Sequence, residues 1–431
     1  MKKLKILISA FAFDPREPMF IEYSAGYVAW KMVEQITNFC DVCVVTTQEY
    51  RDIILEALSD GHLPGVSIHF VNVPSSYSRL KKTLYGKYRR SVVWHRQAME
   101  YSKHLYAESA FDAAHHLFLG PDRLPVHSGA SPALPFVWGP LPGDVKKSSA
   151  LRRIDSKMSS LRNGWEHAMH WLTGHHCMYK KSAQSARAIL VSDPEAVLQF
   201  PKIDKRKIHI FPYYGLDSYS AIFEKKTRKR RNLFTVISAG SFQRESGFDL
   251  LIKAFHLFER ICPKSVLLLF GDGPEKIQCE RIIQKRKLQD KIHIHPSQEK
   301  SSMREKMHEG DVFVNLSQRE DGSAWIIESM AAGLPVVSLH VGGAGYLNQG
   351  DWIIKVKAGS REHLTRGIAQ ALEKLFSEGR LRKKMARAAA RNAANCTWDR
   401  LGKKLQRVYG EAFLQEEDVL FSRKGKDRFS Y

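Results

Sequence analysis

The chain predicts an α/β protein made of two parallel-sheet units joined by a linker. Three observations carry this. Its 431 residues exceed one ordinary hydrophobic core, which makes two domains the natural reading. Short apolar runs alternate with helical stretches along the whole length. The alternation is interrupted once, by a polar stretch at 213–232 that ends in the basic run Lys225, Lys226, Arg228, Lys229, Arg230 and Arg231.

In the first half the expected strands are 5–10, 42–46, 67–73, 113–117, 135–138, 188–191 and 208–211. The first superficially mimics a signal peptide. Its apolar part is short, and Asp14, Arg16 and Glu17 follow without a small-residue cleavage site. It reads as a buried first strand of a parallel sheet, and the chain is expected to stay in the cytosol. In the second half the expected strands are 233–239, 266–270, 292–295, 312–315, 336–339 and 352–354. The expected domains are 1–212 and 233–395, with a basic linker at 213–232. A closing amphipathic helix is expected in 396–416, with Thr397 as its N-cap, and a charged tail at 417–431. Two such sheets imply a cleft, with ligands at the C-terminal ends of the strands.

Hydrophobic content of 43% and charged content of 26% are globular values. No apolar run is long enough to span a bilayer. Six cysteines are scattered, and the pair Cys40 and Cys43 overlaps a strand-like run. Buried thiols fit better than zinc or a redox couple. The formal net charge is +22. From Gly61 to Met99 there is no acidic residue, while Arg79, Lys81, Lys82, Lys87, Arg89, Arg90 and Arg96 accumulate among Tyr77, Tyr85, Tyr88 and Trp94. A second cluster holds Lys146, Lys147, Arg152, Arg153 and Lys157. A solvated face is one reading. The other is attraction to an anionic surface, and an aromatic-basic stretch suits a membrane better than nucleic acid, for which no signature is present.

The most informative segment runs from Ser317 to Val337. It places two carboxylates, Glu320 and Glu328, with seven residues between them. Glu320 falls in a polar loop. Glu328 falls in an apolar helical turn with Trp325, Ile326, Ile327 and Met330, which stops at Gly333-Leu-Pro335 and enters a strand. Backbone N–H groups near Gly322 and Ser323 would face a phosphate at the helix N-terminus. A carboxylate accepts hydrogen bonds from paired sugar hydroxyls. An acid in so apolar a patch needs a partner, because an unpaired buried charge is costly.

On these residues the chain resembles a family 4 glycosyltransferase of the GT-B fold, of the bacterial surface-polysaccharide type. The Glu-x7-Glu segment with Met330-Ala-Ala-Gly-Leu-Pro-Val-Val337 is the strongest match. The segments Gly240 to Phe255 and Leu267 to Pro274, the pair Gly342-Gly343, and Thr397-Trp-Asp-Arg400 fit the same pattern. Ala114 to Phe118 and Pro135 to Asp144 resemble the N-terminal half of the subgroup. Glu22 and Gly26 remain from its first loop, and Ser24 replaces a second glycine.

The resemblance implies two Rossmann-like domains facing across a cleft, with a C-terminal helix crossing back to the N-domain. It implies a retaining hexosyl transfer from a nucleotide diphosphate sugar onto a lipid-linked or polysaccharide acceptor, with no cofactor and no metal. Glu328 would hold the ribose hydroxyls and Glu320 those of the transferred sugar. The amides near Gly322 and Ser323 would stabilise the departing diphosphate or the sugar itself. Gly240, Gly273 and Gly26 would line the donor side, and His116, favoured over His115, would face the reacting sugar. The family places an Arg and a Lys on the diphosphate where this chain has Ser241 and Ser246. Arg244 in the same loop is the nearest replacement, and Pro296 stands where a glycine is usual. A catalytically degenerate scaffold or binding subunit is the alternative that these replacements suggest.

Overall fold

The computed structural model describes residues 3–16, 25–74, 84–117, 134–141, 177–192, 194–212, 214–217, 233–296, 300–317, 322–339, 350–357 and 359–413. The first sheet is built from β1 (Leu4–Ala10), β2 (Cys40–Thr47), β3 (Ser67–Val71), β4 (Ala113–Leu117), β5 (Phe136–Leu141), β6 (Ala188–Val191) and β7 (Ile208–Ile210). Its helices include α1 (Ala25–Thr37), α2 (Arg51–Ser59), α3 (Leu84–Glu108) and α4 (Cys177–Ser185). The second sheet is built from β8 (Phe234–Ala239), β9 (Ser265–Phe270), β10 (Ile292–His295), β11 (Val312–Asn315), β12 (Val336–Leu339) and β13 (Ile353–Val356). Around it lie α5 (Phe248–Glu259), α6 (Lys276–Lys285), α7 (Lys300–Met307), α8 (Gly322–Ala331), α9 (Arg361–Ser377) and α10 (Gly379–Ala393), and α11 (Trp398–Phe413) closes the described chain.

The strand orders are β3-β2-β1-β4-β5-β6-β7 and β10-β9-β8-β11-β12-β13. All pairs are parallel. These are doubly wound Rossmann-like sheets, as the alternating apolar runs predict. Each order reverses once, between β1 and β4 and between β8 and β11, and a ligand crevice opens outside the strand ends at such a reversal. The strands are apolar on both faces because helices cover both sides: β8 and β12, for example, are buried at every position.

Strand ends differ from expectation where local chemistry misleads. The expected strand ends at residue 138, yet β5 continues through Gly139 and Pro140 to Leu141 with a register shift against β6. In β2, Cys40 and Cys43 belong to different apolar clusters. Three residues apart on a strand, their side chains leave opposite faces of the sheet. Both thiols are free and buried, and burial pushes Cys40 up to about 12.

The closing helix belongs to the first core. Trp398, Leu401, Leu405, Val408 and Tyr409 of α11 pack with Val28, Met32 and Ile36 of α1 in one apolar cluster. The Thr397 hydroxyl accepts from Arg400 N–H at 3.4 Å and caps the helix. Leu216 exchanges backbone bonds with the entry to α11, its N–H donating to Cys396 O (2.8 Å) and its carbonyl accepting from Trp398 (2.9 Å). Residues 214–217 are therefore pinned, although composition places them in a linker. The rest of that linker lies outside the described residues.

The aromatic-basic stretch is only in part a free surface. Arg90 is buried and its guanidinium donates to Glu49, and Trp94 is fully buried against Phe11 and His95. α3 must cover the sheet, so its period turns these two residues inward whatever their chemistry. Residues 75–83 and the cluster at 146–157 lie outside the described residues.

Candidate functional site

The expected site residues gather in two groups, one at each strand-order reversal. In the first sheet, Ser9 of β1 and His116 of β4 are register partners, and the Ser9 Oγ to His116 Nδ1 distance is 2.7 Å. His116 is half-buried and stands edge-on to Phe136 at 5.4 Å. Burial, then His115 and His95, pushes its pKa down to about 3, so the ring is neutral.

His115 is fully buried and committed elsewhere. Its Nε2 lies 2.8 Å from Gly139 O, and since a carbonyl can only accept, Nε2 carries the proton. Nδ1 then accepts from the Tyr409 hydroxyl at 2.6 Å. Burial brings His115 down to about 4, and it fastens α11 to the sheet. Gly26 sits in the first turn of α1, where a Cβ would come 2.8 Å from Asp14 Cβ. Asp14 N–H donates to Gly26 O at 3.1 Å, which holds the chain just after β1 against the first turn of α1.

In the second sheet the loops after β8 and β9 lie backbone on backbone. A Cβ on Gly271 would stand 2.0 Å from Gly240 O, and one on Gly273 would stand 2.7 Å from Phe242 O. Both glycines have positive φ. Phe242 N–H donates to Asp272 O (2.7 Å), and its carbonyl accepts from Glu275 (2.9 Å). Any side chain at these positions would drive the loops apart. Between β8 and α5, the Ser246 hydroxyl donates to Ser241 O at 2.6 Å and closes the loop on itself. Arg244 lies in the short 3₁₀ turn of the same loop and is exposed.

The N-terminus of α8 begins at Gly322 and Ser323, beside this loop: the nearest side-chain atom to a Cβ on Gly240 would be Trp325 Nε1 at 3.8 Å. Glu320 lies outside the described residues. Gly240, Ser241, Arg244, Ser246, Gly273, Gly322 and Ser323 thus belong to one end of the second sheet, with Glu328 six residues further along α8, and Gly26 and His116 belong to the corresponding end of the first.

Glu328 has the partner its apolar surroundings demand, and sequence reasoning missed its identity. Arg304 of α7 donates from Nε to Oε2 (2.8 Å) and from Nη2 to Oε1 (3.0 Å). The Tyr214 hydroxyl donates to Oε1 at 2.6 Å. The Glu328 side chain is 0% exposed and that of Arg304 26%. Burial lowers the Arg304 pKa, and its bonds to Glu328 more than offset that, leaving it raised. Burial and then Glu328 raise Tyr214 well above its ordinary value. Neither partner is near Glu328 in sequence, so spacing gave no sign of them. The one available signal was the isolated arginine among polar residues of α7.

The Tyr214 segment reaches both sheets. Three residues on, Asp217 accepts from Tyr27 at 3.3 Å and pairs with Lys31 at 3.4 Å, both on α1. A groove of about 720 Å³ also lies between β3 and α3, lined by Phe70, Asn72, Arg96, Gln97, Tyr101 and His104 among others. It sits at the sheet edge, two strands from the β1/β4 reversal.

Comparison with known proteins identifies the second half of the chain. Residues 220–392 match the family described as Glycosyl transferases group 1. Over this region the chain is similar to that family. Among curated proteins, the phosphatidylinositol N-acetylglucosaminyltransferase gpi3 subunit of Schizosaccharomyces pombe is 29% identical over 120 residues, 27% of this chain and 26% of that protein. D-inositol 3-phosphate glycosyltransferase of Paenarthrobacter aurescens (strain TC1) is 26% identical over 210 residues, 47% of this chain and 50% of that protein. The matches to the first relatives thus span half of their length or less. The structure of Anabaena Alr3699/HepE in complex with UDP superposes with a TM-score of 0.63 at 14% identity, covering 94% of this chain and 100% of that one. The GT-B fold expected from the sequence is the fold observed.

Proposed function

We propose that the protein is a retaining glycosyltransferase that moves a hexose from a nucleotide diphosphate sugar to a lipid-linked or polysaccharide acceptor. The observation that carries this reading is the meeting of two glycine-paired loops with the start of α8 near the β8/β11 strand-order reversal, with Glu328 six residues further along that helix. The loops and the helix start offer N–H donors for a diphosphate, and Glu328 on the same helix supplies an acid for sugar hydroxyls once Arg304 or Tyr214 yields. The relative crystallised with UDP supports a nucleotide-sugar donor.

In this reading the second domain holds the donor and the first holds the acceptor. Closure aligns the acceptor hydroxyl with the anomeric carbon and excludes water. The Gly322 and Ser323 amides and the exposed Arg244 share the charge that develops on the departing diphosphate. Glu320 holds the hydroxyls of the transferred sugar, Glu328 those of the ribose, and neutral His116 faces the reacting sugar. No cofactor or metal enters the scheme. The enzyme would work in the cytoplasm at the inner face of the membrane. Among the described residues no helix is long and apolar enough to cross a membrane.

A second reading, a degenerate scaffold or binding subunit, is favoured by one observation. The Glu328 carboxylate is fully covered by Arg304 and Tyr214, so ribose hydroxyls reach it only if one of them yields. Thermal shift against a panel of nucleotide-sugars separates the two. A donor that stabilises the protein identifies base and sugar together by mass action, whereas a uniform null supports the scaffold. Arg244→Ala then tests the cation: unchanged turnover and donor affinity would remove it from the mechanism.

A further inference from the structure

We infer that the outer face of α10 is a docking surface for an anionic polysaccharide chain, an inference that rests on the reading of this protein as a polysaccharide-building enzyme. Arg380, Lys383, Lys384, Arg387 and Arg391 are all exposed and line one shallow depression of about 380 Å³. At 100° per residue these positions fall within an arc of about 100°, and they extend roughly 16 Å along the helix. The opposite face carries Met385, Ala388, Ala389 and Ala393, all buried. The result is a narrow, straight row in which Arg380, the adjacent Lys383 and Lys384, Arg387 and Arg391 follow one another at about one helical turn, a spacing near the length of one sugar ring.

The row is not held by the protein's own acids. From Gly379 to Trp398 the sequence has no Asp or Glu. Among the described residues, only Lys384 has an acidic neighbour, Asp351 at 3.6 Å, and both side chains are largely exposed. Like charges three and four residues apart on a helix repel, and cations in its first turn oppose the dipole. Arg382, outside the arc, shows how a cation in this helix is used structurally. Its guanidinium donates to Leu375 O at 2.6 Å and lies 5.3 Å from the Phe234 ring centre. The other five have no such employment, and an external polyanion would relieve their mutual repulsion.

The shape selects the class of polyanion. A membrane-binding helix presents a broad cationic face beside inserted apolar side chains. None of the large exposed apolar side chains among the described residues lies on α10. Single-stranded nucleic acid needs aromatic platforms for its bases, and the row has none. A linear chain with a carboxylate or phosphate on successive sugars matches a one-dimensional row in a shallow trough. α10 also packs on α8, the helix that carries Glu328, so a chain held there stays tethered to the domain of the transfer site.

The test compares the full chain with the variant Arg380→Ser/Lys384→Ser/Arg387→Ser. A control, Lys202→Ser/Lys205→Ser/Lys264→Ser, removes the same charge from exposed positions elsewhere. Binding to polygalacturonate, neutral dextran, anionic phospholipid vesicles and oligo-dT is measured across a salt series. The expected result is at least tenfold weaker binding to polygalacturonate for the α10 variant, with a shallower salt dependence, and less than threefold change for the control. Equal losses in both variants would reduce the row to general electrostatics and overturn the inference. So would tighter wild-type binding to vesicles or oligo-dT, with loss confined to the α10 variant, because the partner would then be another class. Thermal shift by nucleotide-sugars, measured on the same proteins, is independent of α10. A donor null with α10-dependent polyuronate binding would defeat the transferase reading alone. A donor response without polyuronate binding would defeat the docking surface alone.

Discussion

Arg304→Met should strand the Glu328 carboxylate in the core of the second domain. The wild-type acid accepts from Arg304 at 2.8 and 3.0 Å and from Tyr214 at 2.6 Å, with none of its side chain exposed. Removing one member of a buried ion pair costs about 3–5 kcal/mol. Here the guanidinium is about a quarter exposed and the Tyr214 O–H remains, so water and one strong bond compensate in part. The expected loss is about 2–3 kcal/mol, or roughly 5–10 °C in Tm for a domain of this size. Glu328→Gln should cost less, about 1–2 kcal/mol, because the guanidinium left behind reaches solvent. The double variant should recover at least about 1 kcal/mol relative to the sum. Thermal melts and urea titrations of the four proteins complete the cycle. An additive cycle, or an Arg304→Met protein that melts within about 1 °C of the wild type, would refute the view that this ion pair keeps the acid buried.

Three further outcomes follow from the same geometry. Tyr214→Phe removes the 2.6 Å bond to the carboxylate and should cost about 1.5–3 kcal/mol in urea titrations. Gly271→Ala forces a Cβ to within 2.0 Å of Gly240 O and should lower stability by about 3 kcal/mol. It should also lower donor affinity at least tenfold by isothermal titration, since the Gly240 loop must move. The third concerns pH. His115 and His116, depressed to about 4 and about 3 from 6.5, are neutral when folded while the unfolded chain takes up their protons. Stability is therefore full above pH 6.5 and falls as pH drops toward 4, by about 1.4 kcal/mol per pH unit for each histidine. Urea midpoints at pH 7.5 and 5 should show the drop, and His116→Asn should roughly halve it.

Much of the fold was legible because strand and helix formation here is a local matter. Runs such as Ala188 to Val191 are apolar at every position, as a strand covered on both faces requires, and all four residues are buried. Local patterning failed where a local rule competes with tertiary contact. The expected strand ends at residue 138, yet the sheet carries β5 through Gly139 and Pro140. Arg90 and Trp94 looked like part of a basic surface until the packing of α3 turned both inward.

For the site, the sequence by itself determined the glycine positions, the helix start at Gly322 and the burial of Glu328, because each depends on residues within one turn or one loop. It also determined that Glu328 must have a partner, since a bare carboxylate in an apolar turn is too costly to bury. Only the tertiary structure decided that the partners are Arg304 and Tyr214, 24 and 114 residues away along the chain. The same holds for His115, which spacing could not separate from His116 and which the packing of Tyr409 assigns to the core. A charge's need for compensation is written in its immediate neighbours. The group that compensates it is set by which distant segments the sheet order brings together.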